Sequence, residues 1–83
     1  MNIIRVFDFN HKNFIFFELK KDITIGDIKN IFAKNKDLDV KNIIAYDSFN
    51  MRFDIFLDDN IKFDKLIENG FSKENDYIIF KYK

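Results

Sequence analysis

The stretch TIGDIKNIFAKNK at positions 24–36 constrains the fold more than any other part of the chain. Thr24 is placed to cap a helix, because its hydroxyl can accept from the amide of Asp27. The Asp27 carboxylate can reach back to the amide of Thr24, which makes a capping box. Ile23 before the cap and Ile28 after it have the spacing of a hydrophobic staple. Ile25, Ile28 and Phe32 recur at i, i+3 and i+7 and so share one face. Lys29, Lys34, Asn35 and Lys36 fall mostly elsewhere. A helix that is apolar on one side needs a sheet to cover, and the rest of the chain reads as that sheet.

Residues 2–9 alternate as a first strand, read with Ile4 and Val6 inward and Ile3, Arg5 and Phe7 outward; the opposite register stays open, because Phe7 and Phe9 are apolar too. Asn10, His11, Lys12 and Asn13 read as a turn. Residues 14–20 return as a second strand. Ile15, Phe17 and Leu19 lie on one side of it, and Phe14, Phe16, Glu18 and Lys20 on the wet side. The helix ends near residues 35–37, and Leu38 closes the core behind it. A third strand is expected over 42–46 with Ile44 and Tyr46 inward, followed by a turn at 47–50. Met51, Phe53, Ile55 and Leu57 alternate with Arg52, Asp54, Phe56 and Asp58 as a fourth strand. Asp58, Asp59 and Asn60 start a short helix over 61–69 that buries Phe63, Leu66 and Ile67. Gly70 ends it in a left-handed conformation, and Phe71 folds back onto its last turn. A polar turn at 73–76 leads to a last strand over 77–82, with Tyr77 and Ile79 inward and Ile78 and Phe80 outward. The fold class is therefore α+β: a mixed sheet of four to five strands packed on one main helix plus a short second helix. Residues 1–83 form one domain without repeats or linkers.

Composition excludes several functions. No cysteine is present among the 83 residues, so disulfides, zinc–thiolate sites and thiol catalysis are ruled out. Fourteen basic and fourteen acidic residues give a formal net charge of +0, and so no global attraction to nucleic acid or anionic membrane. No apolar run approaches the roughly 18–20 residues needed to span a bilayer. The first ten residues, MNIIRVFDFN, lack the pattern of a signal peptide. The abundance of Asn, Lys, Ile and Phe fits an AT-rich coding bias, which could place some apolar residues on the surface without a functional reason.

The order strand, strand, helix, strand, strand, short helix, strand resembles the β-grasp of ubiquitin. The run DITIGDIKNIF resembles the opening of the main helix in ubiquitin-like domains, and IFFEL resembles ubiquitin's second strand, with Glu18 at the acidic position. LDDNIKFDKL resembles the acidic turn and short helix before the last strand, which implies that Asp58 or Asp59 accepts from Lys29. Two subgroups are similar. AYDSFNMRFDIFLDDNIKFDKL resembles the ubiquitin-like domains of tubulin-folding cofactors B and E. TIGDIKNIFA and the aromatic C-terminal stretch resemble the ubiquitin-like splicing modifier that ends in two tyrosines. Conjugated modifiers end in two glycines, whereas this sequence as given ends Phe80, Lys81, Tyr82, Lys83, so activation by the usual route is not expected.

No chemical motif competes with this reading. His11, the only histidine, sits in a turn and reads as a solvated residue, because no nucleophile and orienting acid accompany it. Asp37, Asp39 and Asn42, or Asp58 and Asp59, lack the spacing of a calcium loop and read as caps and turns. The lysines are dispersed among acids, unlike a nucleic-acid stripe. The informative feature is the sheet face away from the helix. Phe9, Phe14, Phe16, Ala45, Ile78 and Phe80 are expected there as a partner-binding surface. Phe9 and Phe80 resemble members of ubiquitin's recognition patch, and Ala45 falls near its exposed isoleucine. The expected function is a non-catalytic protein–protein interaction module, either of the tubulin-folding cofactor type or a free-standing modifier that binds without conjugation. The expected partner is a protein, with tubulin and ubiquitin-pathway proteins the two candidates the resemblance implies. No cofactor, metal, nucleic acid or membrane partner is expected. A monomer is expected, in cytoplasm or nucleus.

Overall fold

The computed structural model describes residues 3–18, 20–48 and 56–83. In chain order its elements are β1 (Ile3–Asp8), β2 (Asn13–Glu18), α1 (Ile25–Lys36), a short 3-10 turn (Val40–Asn42), β3 (Ile44–Asp47), α2 (Phe63–Glu68) and β4 (Ile78–Lys81). The strands form one mixed sheet in the order β2-β1-β4-β3. The central pair β1 and β4 is parallel, and β2 and β3 each run antiparallel to their neighbour. Among the described residues no helix is long and apolar enough to cross a membrane.

α1 forms where its capping residues require. Thr24 Oγ1 accepts from the Asp27 amide at 3.1 Å, and Asp27 Oδ2 accepts from the Thr24 amide at 3.0 Å. Ile25, Ile28, Phe32 and Ala33 are buried against Ile4 and Val6 of β1, Phe17 of β2 and Ile78 and Phe80 of β4. The helix stops at Asp37, whose backbone is left-handed at φ 55° and ψ 48°. The helix entrance is tied to the chain before α2. The Gly26 amide donates to Asp59 O at 2.9 Å, and a Cβ on Gly26 would lie only 3.1 Å from that oxygen. Lys29 is not on the helix surface. Its side chain is buried, and Nζ donates to Asp59 Oδ1 at 2.6 Å, as the resemblance to the acidic turn implied. α2 buries Phe63 and Leu66 but leaves Ile67 exposed. Gly70, at φ 113°, lets the Phe71 amide return to Leu66 O at 3.0 Å and buries the Phe71 ring against Phe63.

Two strands differ from expectation in which face is turned inward. In β3, Ala45 is fully buried and Ile43 just before it nearly so, whereas Ile44 is 38% exposed. In β4, Ile78 and Phe80 are both at 0% exposure. The reason lies in the pairing. β4 runs parallel to β1 with Val6 beside Ile78 and Asp8 beside Phe80, so the inward phase of β1 carries across. Phe80 then stacks edge-on against Phe32, with ring centroids 5.0 Å apart. Across β4 from Phe80 lies Ala45, and a small residue there leaves volume for the two rings. The fourth strand expected around residues 51–57 lies outside the described residues except at its end. There Leu57 is buried, donates its amide to Ala45 O at 2.8 Å, and alternates with exposed Phe56 as expected.

Candidate functional site

The outward side chains of the sheet are those of Ile3, Arg5 and Phe7 on β1, Phe14, Phe16 and Glu18 on β2, Ile44 and Tyr46 on β3, and Ile79 and Lys81 on β4, by strand alternation and cross-strand register. At one end they make an aromatic cluster. The Phe7 and Phe14 rings lie 5.0 Å apart, and Tyr77, next to β4, stands edge-on to Phe14 at 5.1 Å. The Arg5 guanidinium sits 5.6 Å from the Phe14 ring and 5.7 Å from the Tyr77 ring. Phe14 and Tyr77 each have both an aromatic and a cationic neighbour, and Phe7 has two aromatic ones, which restrains the rings. Phe16 stands beside this cluster at 64% exposure. At the other end Lys12 Nζ lies 3.6 Å and Lys81 Nζ 5.1 Å from the centre of the Phe9 ring. Beside them is a pocket of about 360 Å³ lined by Lys41, Ile44, Tyr46, Lys81 and Lys83 among others. Phe56 packs edge-on against Tyr46 at 5.6 Å and is 60% exposed.

Three of the six expected contact residues are on this face and three are not. Phe14 and Phe16 are exposed there, and Phe9 is half-buried beneath its two ammonium groups. Ala45, Ile78 and Phe80 belong to the core on the opposite face. A fully buried side chain cannot meet a partner without unfolding the sheet, so the outward reading of these three is corrected. On the outer face Ile44 and Lys81 stand exposed, each one residue out of phase with the expectation, whereas Ile79 and Tyr46 turn to that face but are buried at 5% and 6% exposure, outside the helix-facing core cluster. Arg5 and Tyr77 join Phe14 in a single rigid cluster.

A second cluster went unread in the sequence. Asp8 ends β1 in the inward phase, and its side chain is fully buried. Its Oδ1 accepts from the amides of Asn10 at 3.1 Å and His11 at 3.2 Å. Its Oδ2 accepts from the Tyr82 hydroxyl at 3.1 Å and faces Lys36 Nζ at 3.1 Å and His11 Nδ1 at 3.0 Å. Burial alone would raise the Asp8 pKa, but the hydrogen bonds from Lys36, His11 and Tyr82 outweigh it and hold the carboxyl below its usual value. An ionised Asp8 only accepts, so the His11 nitrogen facing it, Nδ1, is the donor, an assignment that follows from the network. His11 is thus fastened to a buried acid rather than solvated on all sides, and Lys36 is drawn off the helix surface.

An acid orienting a histidine is half of a catalytic triad, but the hydroxyl here is the wrong one. Tyr82 Oη lies 2.8 Å from His11 Nδ1, yet burial, together with the hydrogen bond and charge of Asp8, pushes its pKa up to about 12. A nucleophile needs the opposite shift. The hydroxyl of Thr24 is engaged as a cap, and that of Ser48 accepts from the Tyr77 amide at 2.8 Å. The Asn10 side chain bonds both the carbonyl and the amide of Tyr82, at 2.5 and 3.2 Å, and fastens residue 82 to the β1–β2 turn. Among the described residues no group of three or more acidic or histidine side chains is placed to hold a metal ion.

A four-stranded mixed sheet grasping one capped helix, with a short helix before the last strand, is the ubiquitin-like α+β grasp. Comparison with solved structures supports that assignment. The chain is similar to a computationally designed protein based on the template of human erythrocytic ubiquitin, at TM-score 0.68 and 16% identity, over 100% of this chain and 92% of that one. It is also similar to the C-terminal ubiquitin-like domain of mouse tubulin-specific chaperone e, at TM-score 0.70 and 8% identity, over 99% of this chain and 86% of that one. No protein-family model and no curated protein sequence matches the chain. At such identities the likeness is one of fold, and the sequences have little else in common.

Proposed function

We propose that this domain is a non-catalytic protein-interaction module and that its contact surface is the outer sheet face. The observation that carries the reading is the Phe14–Tyr77–Phe7 cluster held by Arg5, with Phe16 standing exposed beside it. Rings already fixed in the free protein lose little entropy on docking, and binding energy concentrates in a few such anchors inside a polar rim. The helix surface offers less: Lys29 and Lys36 are occupied by Asp59 and Asp8, and Ile31 is its one exposed large apolar residue. Within this reading the domain acts as an adaptor, and the likeness to a tubulin chaperone's domain makes tubulin the first partner to try.

A second reading, a modifier-like protein that binds without conjugation, draws on Tyr82. Its main chain and hydroxyl are held by Asn10 and Asp8, so this residue is not part of a free tail. The experiment is a direct binding measurement with purified tubulin, then affinity capture from cell extract, using wild type, Phe16→Asp, Ile44→Glu and the helix variant Lys34→Glu. Both outer-face variants are expected to keep the wild-type melting temperature and lose the captured partner. Loss confined to Lys34→Glu would move the site to the helix and overturn the reading. Tubulin binding at the outer face selects the adaptor.

A further inference from the structure

Asn69 and Gly70 follow the last turn of α2 and form the one Asn–Gly pair in the chain, since the other glycine, Gly26, follows Ile25. That pair has a covalent chemistry of its own. The side-chain amide of an asparagine can be attacked by the main-chain nitrogen of the next residue. A side chain on that next residue obstructs the approach, and glycine has none, with the most permissive backbone of all. Every other asparagine here precedes Ile, His, Phe, Lys, Met or Asp, each of which crowds the attack.

The structure exposes this site and restrains it at once. Both residues are exposed. Among the described residues no hydrogen bond holds the Asn69 side chain, whereas that of Asn10 is bonded to Tyr82 twice. The attacking nitrogen is engaged, however. The Gly70 amide donates to Ile67 O at 3.1 Å, and the Asn69 backbone, at φ −88° and ψ 7°, keeps the turn closed. Phe71 locks it: its amide returns to Leu66 O at 3.0 Å, and its ring, 3% exposed, packs against Phe63. α2 has only 6 residues, and a short helix end opens locally without global unfolding. The docking of Phe71 is therefore the gate to the reactive geometry.

We propose that Asn69 is a site of spontaneous deamidation, reached when the end of α2 opens. The Gly70 nitrogen gives its proton to solvent and bonds to Asn69 Cγ, and the side-chain nitrogen leaves as ammonia. The product is a five-membered cyclic imide. Water then adds to one imide carbonyl and breaks its bond to the nitrogen. Addition at Cγ leaves aspartate in an ordinary main chain. Addition at the main-chain carbonyl leaves isoaspartate, with the chain routed through Cβ and Cγ. The net change is one amide and one water to one carboxylate and one ammonium ion, with no oxidant or reductant. Either product sets a new negative charge beside Glu68, at the helix end where charge of that sign is unfavourable. Isoaspartate also adds a carbon to the main chain ahead of Gly70, so the bonds of Gly70 to Ile67 and of Phe71 to Leu66 no longer fit together. The proposal does not rest on the partner-binding reading.

The test ages the full chain at body temperature and mildly alkaline pH. Samples taken over time are digested with trypsin at mildly acidic pH, and mass spectrometry follows the peptide 66–73 for the mass gain of amide to acid. Wild type is compared with Phe71→Leu, Phe71→Ala, Asn69→Gln and wild type unfolded in guanidinium chloride, with circular dichroism melts reporting which samples are folded. The gain is expected in wild type at Asn69 ahead of every other asparagine. It should run roughly tenfold or more faster in the unfolded sample, because the native chain reacts only in its open fraction. Phe71→Leu should fall between the two, and it carries the comparison if Phe71→Ala does not fold. Aged wild type should melt below fresh wild type, and aged Asn69→Gln should not change. No gain at Asn69 in folded wild type, a gain spread evenly over the asparagines, or a Phe71→Leu rate equal to that of wild type would each overturn the proposal.

Discussion

Phe80 and Phe16 are the same side chain on the same sheet, and they end in opposite surroundings. Phe80 is fully buried, edge-on to Phe32 and across from Ala45. Phe16 is 64% exposed at the edge strand. Neither hydrophobicity nor propensity separates them. What separates them is strand phase, which the parallel pairing of β4 with β1 fixes at one position and the wet side of β2 at the other. The inner face is a jigsaw in which one wrong volume is felt. The outer face buries Tyr46 and Ile79 but leaves Phe14 and Phe16 exposed on its edge strand, where volume matters less to folding and chemistry matters to contact.

The largest effect that contrast predicts is at Phe80. Phe80→Ala removes an aromatic ring from the centre of the core and should cost about 3–5 kcal/mol. Urea unfolding at neutral pH measures it, and a cost below about 0.5 kcal/mol would place Phe80 on the surface after all. Phe32→Ala should cost about as much, because the two rings share one contact.

Next comes the polar part of the inner face. Asp8→Ala strands the amides of Asn10 and His11 and releases the Tyr82 hydroxyl, which should cost about 1–3 kcal/mol. The pH dependence has two limbs. The Asp8 pKa is lowered on folding, so its contribution is present above the unfolded value near 3.8 and is lost as pH falls through the folded value. The Tyr82 pKa is raised from 10.0 to about 12, so its contribution is complete below pH 10.0 and is lost as pH rises toward 12. Asp8→Ala should abolish the acid limb and shorten the alkaline one in urea titrations run across pH, because burial, the larger cause at Tyr82, remains. Unchanged limbs would show that the network is not what makes stability depend on pH.

The smallest effect on folding is expected on the outer face. Phe16→Ala should change stability by less than about 0.5 kcal/mol. Against a partner that docks on this face, the same change should weaken binding by about 1–3 kcal/mol. Calorimetric titration beside a thermal melt separates the two. A large loss of stability would mean that Phe16 packs within the monomer, and unchanged affinity would remove it from the contact surface.

How much was legible in the sequence follows the same division. Where a charge interrupts the apolar residues, as Arg5 does between Ile4 and Val6, the phase of the strand is favoured from sequence, although the apolar Phe7 and Phe9 keep the other phase open until the structure buries Ile4 and Val6. Where several apolar residues run together, as in Tyr77, Ile78, Ile79 and Phe80, both phases bury something large. Only the register with β1 decides between them. β3 misleads for a related reason. Ile44 and Tyr46 are bulkier than Ala45, so hydrophobicity alone favours them against the helix, but the space there is already filled by Phe32 and Phe80, and Tyr46 is buried on the other face instead. The capping box of α1, the Gly70 stop and the Lys29–Asp59 contact were readable because each is a local or family-specific pattern. The Asp8 network joins residues more than 70 positions apart, yet one local sign was available. Asp8 falls in the inward phase set by Ile4 and Val6, and a carboxylate placed there must find donors.

The phase of the sheet can be measured without any partner. A soluble paramagnetic agent added to a dilute sample, with aromatic proton relaxation read by nuclear magnetic resonance, reports which phenylalanine rings meet solvent. Strong enhancement is expected for Phe16, intermediate enhancement for Phe14, and almost none for Phe80 and Phe32. Enhancement at Phe80 comparable to that at Phe16 would contradict the assignment of the two faces, and with it the placement of the contact surface.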